Sequence, residues 1–461
     1  MVRFAGAGRW VWRHPIIGLP LLTWVLLTPL AHWLLPVTPI QRIDVTELVP
    51  PGETSKPARH PDYPDRAIFT TVDIEKNTAC TAIETTTAKG HAYLVGPYRV
   101  WDLGQRKQLI EVVDEDAWAT RGGPMLCGDW LPIRRGDGPN YMVSAKETVF
   151  YHVPTGKKGP RIPTGRFIVS ADNRWVGYIT VDAIHVLELE SQRSHPIPLP
   201  RDAKKDAIPF WLYQLSPDGR FVVVMNNNLT IVLDSANGEV VANVSDFDRS
   251  STLSFSPDNA AIARSVWGGS FKGVIVNGLG GEKELTRILG VSFLDWHPSG
   301  AMFVQRHRGR DAEGTEPCRI EIRRKESENW LSPTAKWTSP PGGLSRPKVS
   351  HDGRRILFIQ PSHRDHVAVQ ILDGENLHAL DRWTVNCVER CWGDVMFDFT
   401  PDGETVIVNH MTALEYWSIP VRSWLKSSLW AGGAMLVLGM IVAVWRCRSK
   451  RATISPVAPP I

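Results

Sequence analysis

Between residues 213 and 244, short apolar runs are separated by clusters of turn-forming residues, and this pattern recurs through most of the chain. Ser216-Pro217-Asp218-Gly219 has the chemistry of a type I turn, with Ser first, Pro with its φ already set second and Gly last. A strand therefore ends at Leu215. The β-branched run Phe221 to Met225 reads as a second strand, Asn226 to Asn228 turn it, and Leu229 to Leu233 form a third. Ala236-Asn237-Gly238 then leads into a fourth strand, Glu239 to Val244. A four-stranded unit of this kind cannot bury both faces alone, so the pattern requires copies.

Looser versions of the turn stand at Ser170-Ala171-Asp172-Asn173, Ser256-Pro257-Asp258-Asn259, His297-Pro298-Ser299-Gly300, Ser350-His351-Asp352-Gly353 and Thr400-Pro401-Asp402-Gly403. The six markers are 46, 40, 41, 53 and 50 residues apart, without helical periodicity between them. Four strands per 40–50 residues is the grammar of propeller blades. Tyr98 to Leu103, Thr148 to Val153, Ala183 to Leu189, Leu229 to Leu233, Gly273 to Asn277, Arg319 to Arg323, Val367 to Leu372 and Ala413 to Ile419 supply eight candidate later strands. The expected fold is all-β, a propeller of seven or eight blades over residues 66–421, closed by pairing of Arg66 to Asp73 with strands near its C-terminal end.

On these turns the chain resembles the WD-repeat and related Ser-Pro-Asp-Gly-type β-propellers, from about residue 66 to residue 420. Val100-Trp101-Asp102-Leu103 holds the sequence's single Trp-Asp dipeptide. The resemblance implies an interaction platform and transfers no functional residue.

Two hydrophobic segments flank the repeats. Residues 16–36 and 427–445 are free of formal charge and about as long as a bilayer crossing requires, so each is expected to form a transmembrane helix. A cleaved signal peptide competes with a signal anchor for the first. Residues 37–65 read as a Pro-rich spacer, and residues 1–15 and 446–461 as basic tails. Their Arg and Lys place both termini in the cytoplasm and the propeller outside it, on a plasma or inner membrane.

The net charge of +4 misleads, because the ends carry nine basic residues and no acid. Between them 43 basic residues face 48 acidic ones, a balance that argues against a nucleic-acid partner. Chemical motifs are sparse. His363 and His366 lack neighbouring ligands, Gly343-Leu344-Ser345-Arg346 lacks the final Gly of a hydrolase elbow, and the marker Asp residues are explained by capping their own turns. The glycines show neither phosphate-loop nor dinucleotide spacing. No catalytic, cofactor-binding or metal-ligating residue is therefore assigned.

Most of the twelve Trp from Trp101 to Trp417 are expected between blades. Trp337, in the long loop expected from Trp330 to Pro347, is the candidate exposed partner contact, and Arg308 to Pro317 is the second long loop. The spacing of Cys387 and Cys391, between two blades, predicts a disulfide, with a zinc site or free thiols as rival uses. The expected function is a non-catalytic, membrane-tethered platform for a protein partner on the extracytoplasmic side. The alternative is a propeller-type enzyme (hydrolase, lyase or quinone-dependent dehydrogenase) whose groups come from several blades.

Overall fold

The computed structural model describes residues 23–29, 31, 37–49, 66–73, 75–86, 92–114, 117–120, 126–136, 146–198, 211–225, 230–244, 253–266, 273–279, 284–306, 319–325, 330, 332–338, 347–363, 366–386, 396–420, 427–433, 435–437 and 440. They fall into two units, residues 40–417 and the paired flanks 1–39 and 418–461.

The larger unit is an eight-bladed propeller. Blade 1 joins Arg66–Asp73, Thr78–Thr86, Ala92–Asp102 and Lys107–Val112, with Trp118–Thr120 added to the third strand. Blade 2 has three strands among the described residues, Trp130–Arg135, Glu147–His152 and Lys158–Ile162. Blades 3 to 7 are four-stranded antiparallel meanders that start at Phe167, Trp211, Leu253, Val291 and Lys348. Blade 8 takes Met396–Phe399, Thr405–Asn409 and Ala413–Ser418, and its outermost strand is Gln41–Asp44.

That last pairing corrects the expected closure. Arg66–Asp73 pairs with Thr78–Thr86 of its own blade, whereas Gln41–Asp44, in the stretch read as spacer, runs antiparallel to Ala413–Tyr416. The four residues alternate so that Ile43 is fully buried while Arg42 reaches Glu415 at 3.0 Å. A four-residue strand with one apolar side chain is too short to stand out in a sequence. It is stable here because the neighbouring strand already offers a row of unpaired backbone groups.

The ring is held by apolar clusters between consecutive blades. Leu131, Ile133 and Val149 of blade 2 pack with Tyr98 and Val100 of blade 1, and Ile320 and Ile322 of blade 6 pack with Ile356 and Phe358 of blade 7. Trp383 of blade 7 stacks on Trp417 of blade 8 at 5.9 Å, and Ile43, Ile407 and Leu414 of blade 8 join Ala67 and Phe69 of blade 1, which completes the circle. First strands of neighbouring blades touch one another, so they form the inside of the ring.

Five marker turns share one network, in which a hydroxyl donates to the Asp two residues on and accepts from the amide five residues on. For Ser216 these distances are 2.6 Å to Asp218 and 2.8 Å from Phe221, and Ser170, Ser256, Ser350 and Thr400 repeat them. The marker Gly has a second use. Gly219 has a φ of +70°, and a Cβ there would lie 2.3 Å from the Trp175 ring of the preceding blade. The turn thus closes its own hairpin and admits its neighbour.

The flanks overturn the expected transmembrane helices. Residues 23–29 and 427–433 are helical, and no helix among the described residues is long and apolar enough to cross a membrane. Pro20 and Pro29 in the first segment and Gly432, Gly433 and Gly439 in the second are poor helix formers. The membrane localisation, the cytoplasmic termini and the extracytoplasmic propeller all rested on those helices and fall with them. Within this unit, Trp24 Nε1 donates to the Ser428 carbonyl at 2.9 Å.

Candidate functional site

The marker turn of blade 3 and turns of blades 1 and 2 surround a cleft of about 220 Å³. Blade 1 contributes Glu75 and Lys76 from the turn that follows Asp73. That turn is built locally, because Asp73 Oδ1 accepts the Lys76 amide at 3.1 Å. Blade 2 contributes a two-residue hairpin in which Cys127 and Trp130 exchange backbone hydrogen bonds of 2.8 and 3.0 Å. Gly128 supplies the left-handed conformation this turn needs, with a φ of +58°. Blade 3 contributes Asp172 to Arg174 from its marker and Leu189 and Glu190 from its last turn.

Most charges around the cleft are already committed. Lys76 forms an ion pair with Asp129, Arg174 bonds Glu188 at 3.2 Å, and Asp172 accepts from Ser170 and from the Arg174 amide. Ser191 and then Arg174 hold the Glu188 carboxyl below its ordinary range. The floor is aromatic. The Trp130 ring lies 4.9 Å from that of His152 at 56°, and His152 Nδ1 is 2.9 Å from Thr155 Oγ1. Gly159 makes room for that indole, since a Cβ at this position would fall 2.1 Å from it.

A second polar group lies inside the ring. Counting back two residues from each marker gives Ile168, Gln214, Ser254, Asp295, Lys348 and Asp398 on successive first strands, so the series turns charged over blades 6 to 8. Lys348 Nζ is 3.4 Å from Asp398 Oδ2. Asp295 and Asp398 each accept the amide of the following residue, at 2.8 and 2.9 Å. Burial raises the Asp295 carboxyl, against the opposing pull of Lys348. The marker spacing carries this signal, because each marker fixes the position of the first-strand residue two places before it.

Trp337 departs from expectation. It lies in the strand Pro333–Thr338 and not in a loop, half-buried, with its ring 5.2 Å from Phe358 and stacked at 28°. Aromatic area is worth more between blades than in water, which explains the placement. Cys387, Cys391 and Arg308 to Pro317 lie outside the described residues. Cys80 and Cys127 are buried. His363 and His366 face each other across the hairpin of blade 7, and no group of three or more His, Cys, Asp or Glu able to hold a metal occurs among the described residues. A further charged cluster is structural. Glu321, almost fully buried, binds Arg323 at 2.6 Å and Arg306 at 2.8 Å within blade 6.

No protein-family model and no curated protein matches the sequence. Among solved structures the chain is similar to Chaetomium thermophilum Sqt1, at 14% identity over 78% of this chain and 97% of that one, with a TM-score of 0.48. The Dos1 propeller shows 10% identity over 84% and 96%, with a TM-score of 0.45. The dihydro-heme d1 dehydrogenase NirN, in complex with DHE, shows 15% identity over 83% and 76%, also with a TM-score of 0.45. Likenesses this distant say nothing about function.

Proposed function

We propose that the protein is a non-catalytic interaction platform that holds a protein partner on the cleft-bearing turns of blades 1 to 3. The observation that carries this reading is the convergence of turns from three blades on one cleft whose charged groups are mostly bound to one another or to their own backbone. Groups held in this way present a fixed pattern of charge to a facing surface. A closed ring also keeps the turns in fixed relative positions, as a binding face on a rigid scaffold requires. An enzyme drawing its groups from several blades would use positions such as Asp295, Lys348 and Asp398. There Asp295 and Asp398 each accept a neighbouring backbone amide, and Lys348 pairs with Asp398.

The test compares the full-length protein with the variant Lys76→Glu/Arg174→Glu, which reverses two cleft cations. Proteins retained by each are identified by mass spectrometry after affinity purification. The partner that separates them is then purified and titrated directly. The expected result is one protein bound by the parent and at least tenfold more weakly by the variant. Equal binding by the two, or no protein retained by the parent alone, overturns the reading.

A further inference from the structure

The cleft of blades 1 to 3 contains more negative charge than its own cations neutralise. Its two cations are engaged, Lys76 with Asp129 and Arg174 with Glu188, whereas Glu75 and Glu190 have no salt-bridge partner among the described residues. Both are exposed, and they come from blades 1 and 3, on either side of the Trp130 hairpin of blade 2. Beside the cleft, burial raises the Asp73 carboxyl against the opposing Lys76 amide and charge, with Glu75 adding a smaller upward push. Burial raises the Cys127 thiol to about 12, with Asp73 contributing in the same direction.

Size and shape narrow the occupant. At about 220 Å³ the cleft is below the roughly 300–1,000 Å³ of sites for drug-sized ligands, so it suits one side chain or a small head group. A metal ion needs several donors at one point, and no such cluster occurs among the described residues. A planar cation is different, because it donates in several directions and lies against an aromatic ring.

Resting on the platform reading, we infer that this cleft receives an arginine side chain of the partner protein, its guanidinium between Glu75 and Glu190 and against Trp130. Arginine fits better than lysine because its fork serves two carboxylates at once, beside the small part of the buried Trp130 that lines the cleft. Trp130 is itself packed into the cluster between blades 2 and 3, so its ring is held in place before binding.

The test uses the full-length protein and the peptide acetyl-Gly-Arg-Gly-amide, titrated by calorimetry at low ionic strength beside its citrulline counterpart, which keeps the shape and lacks the charge. The arginine peptide is expected to bind at least tenfold more tightly than the citrulline peptide. Glu75→Gln/Glu190→Gln should abolish that preference while leaving the thermal midpoint unchanged, as two exposed positions permit. Equal binding of the two peptides, no binding of either, or a preference unaffected by the double substitution overturns the inference. The platform reading fails separately, through the Lys76→Glu/Arg174→Glu comparison with the captured protein.

Discussion

The hydroxyl of Ser216 donates to Asp218 and accepts from the Phe221 amide, and Ser216 has no exposed surface. Removing it leaves a buried amide without its partner, a loss of about 1–3 kcal/mol. Ser216→Ala is therefore expected to lower the free energy of unfolding by about that much in urea titrations at neutral pH. Asp295 gives the opposite sign. Burial raises its carboxyl, so the folded protein holds the proton more tightly than the unfolded chain does. Its contribution is favourable below the unfolded value of about 3.9 and declines as pH rises through the higher folded value. Asp295→Asn retains a side-chain oxygen for the Trp296 amide and carries no charge. The variant should unfold at a higher temperature than the parent at pH 7, with the difference closing toward pH 3. A variant equally or less stable at pH 7 would contradict this account.

At the scale of the element, the strand Gln41–Asp44 determines whether the ring is closed. Its register sets Ile43 beside Leu414 and Arg42 beside Glu415, so one apolar contact and one ion pair secure a strand of four residues. The short helix Val45–Leu48 follows directly, with the Asp44 amide donating to Glu47 at 3.3 Å, and buries Val45 and Leu48 against blade 1. Ile43→Ala removes a fully buried side chain at this junction, and such truncations cost about 2–5 kcal/mol. Limited proteolysis should then cut the variant faster than the parent, with early cleavage in blades 1 and 8. Cleavage at the parent's rate would show that closure does not depend on this strand.

At the scale of the whole molecule, several carboxylates make acid the condition that unfolds it. Ser256 and Thr400 hold Asp258 and Asp402 below the ordinary range by donating hydrogen bonds. For Asp352, Glu321 and Glu415, burial pushes upward but is outweighed, by Ser350 in the first case, Arg306 and Arg323 in the second, and His410 and Arg42 in the third. A lowered folded pKa adds stability above the unfolded values, about 3.9 for Asp and 4.3 for Glu, and that stability is lost as pH falls through the folded values. Asp73 and Asp295 act in the opposite sense but are fewer. The urea midpoint should therefore stay level from pH 7 to about pH 5 and fall below about pH 4. Glu321→Gln, which discards the most buried of these carboxylates, should make that fall shallower. A midpoint that rises on acidification would refute the assignment.

The repeat and its turns were legible in the sequence because they are local. A hydroxyl, an Asp two residues on and an amide five residues on find each other whatever the rest of the chain does, so the six markers predicted the blades and the antiparallel meander. Among the described residues, Trp101, Trp130, Trp383 and Trp417 are buried packing groups, and Trp337 stacks on Phe358 from a strand and not from the loop assigned to it. Which strand closes the ring was decided by tertiary structure alone, because Gln41–Asp44 acquires its strand only from the open edge at Ala413–Tyr416. The same holds for the cleft, where Glu75, Trp130 and Glu190 are neighbours only because three blades stand side by side. The flanks show the limit from the other direction: hydropathy counts apolar residues, whereas no helix among the described residues is long and apolar enough to cross a membrane.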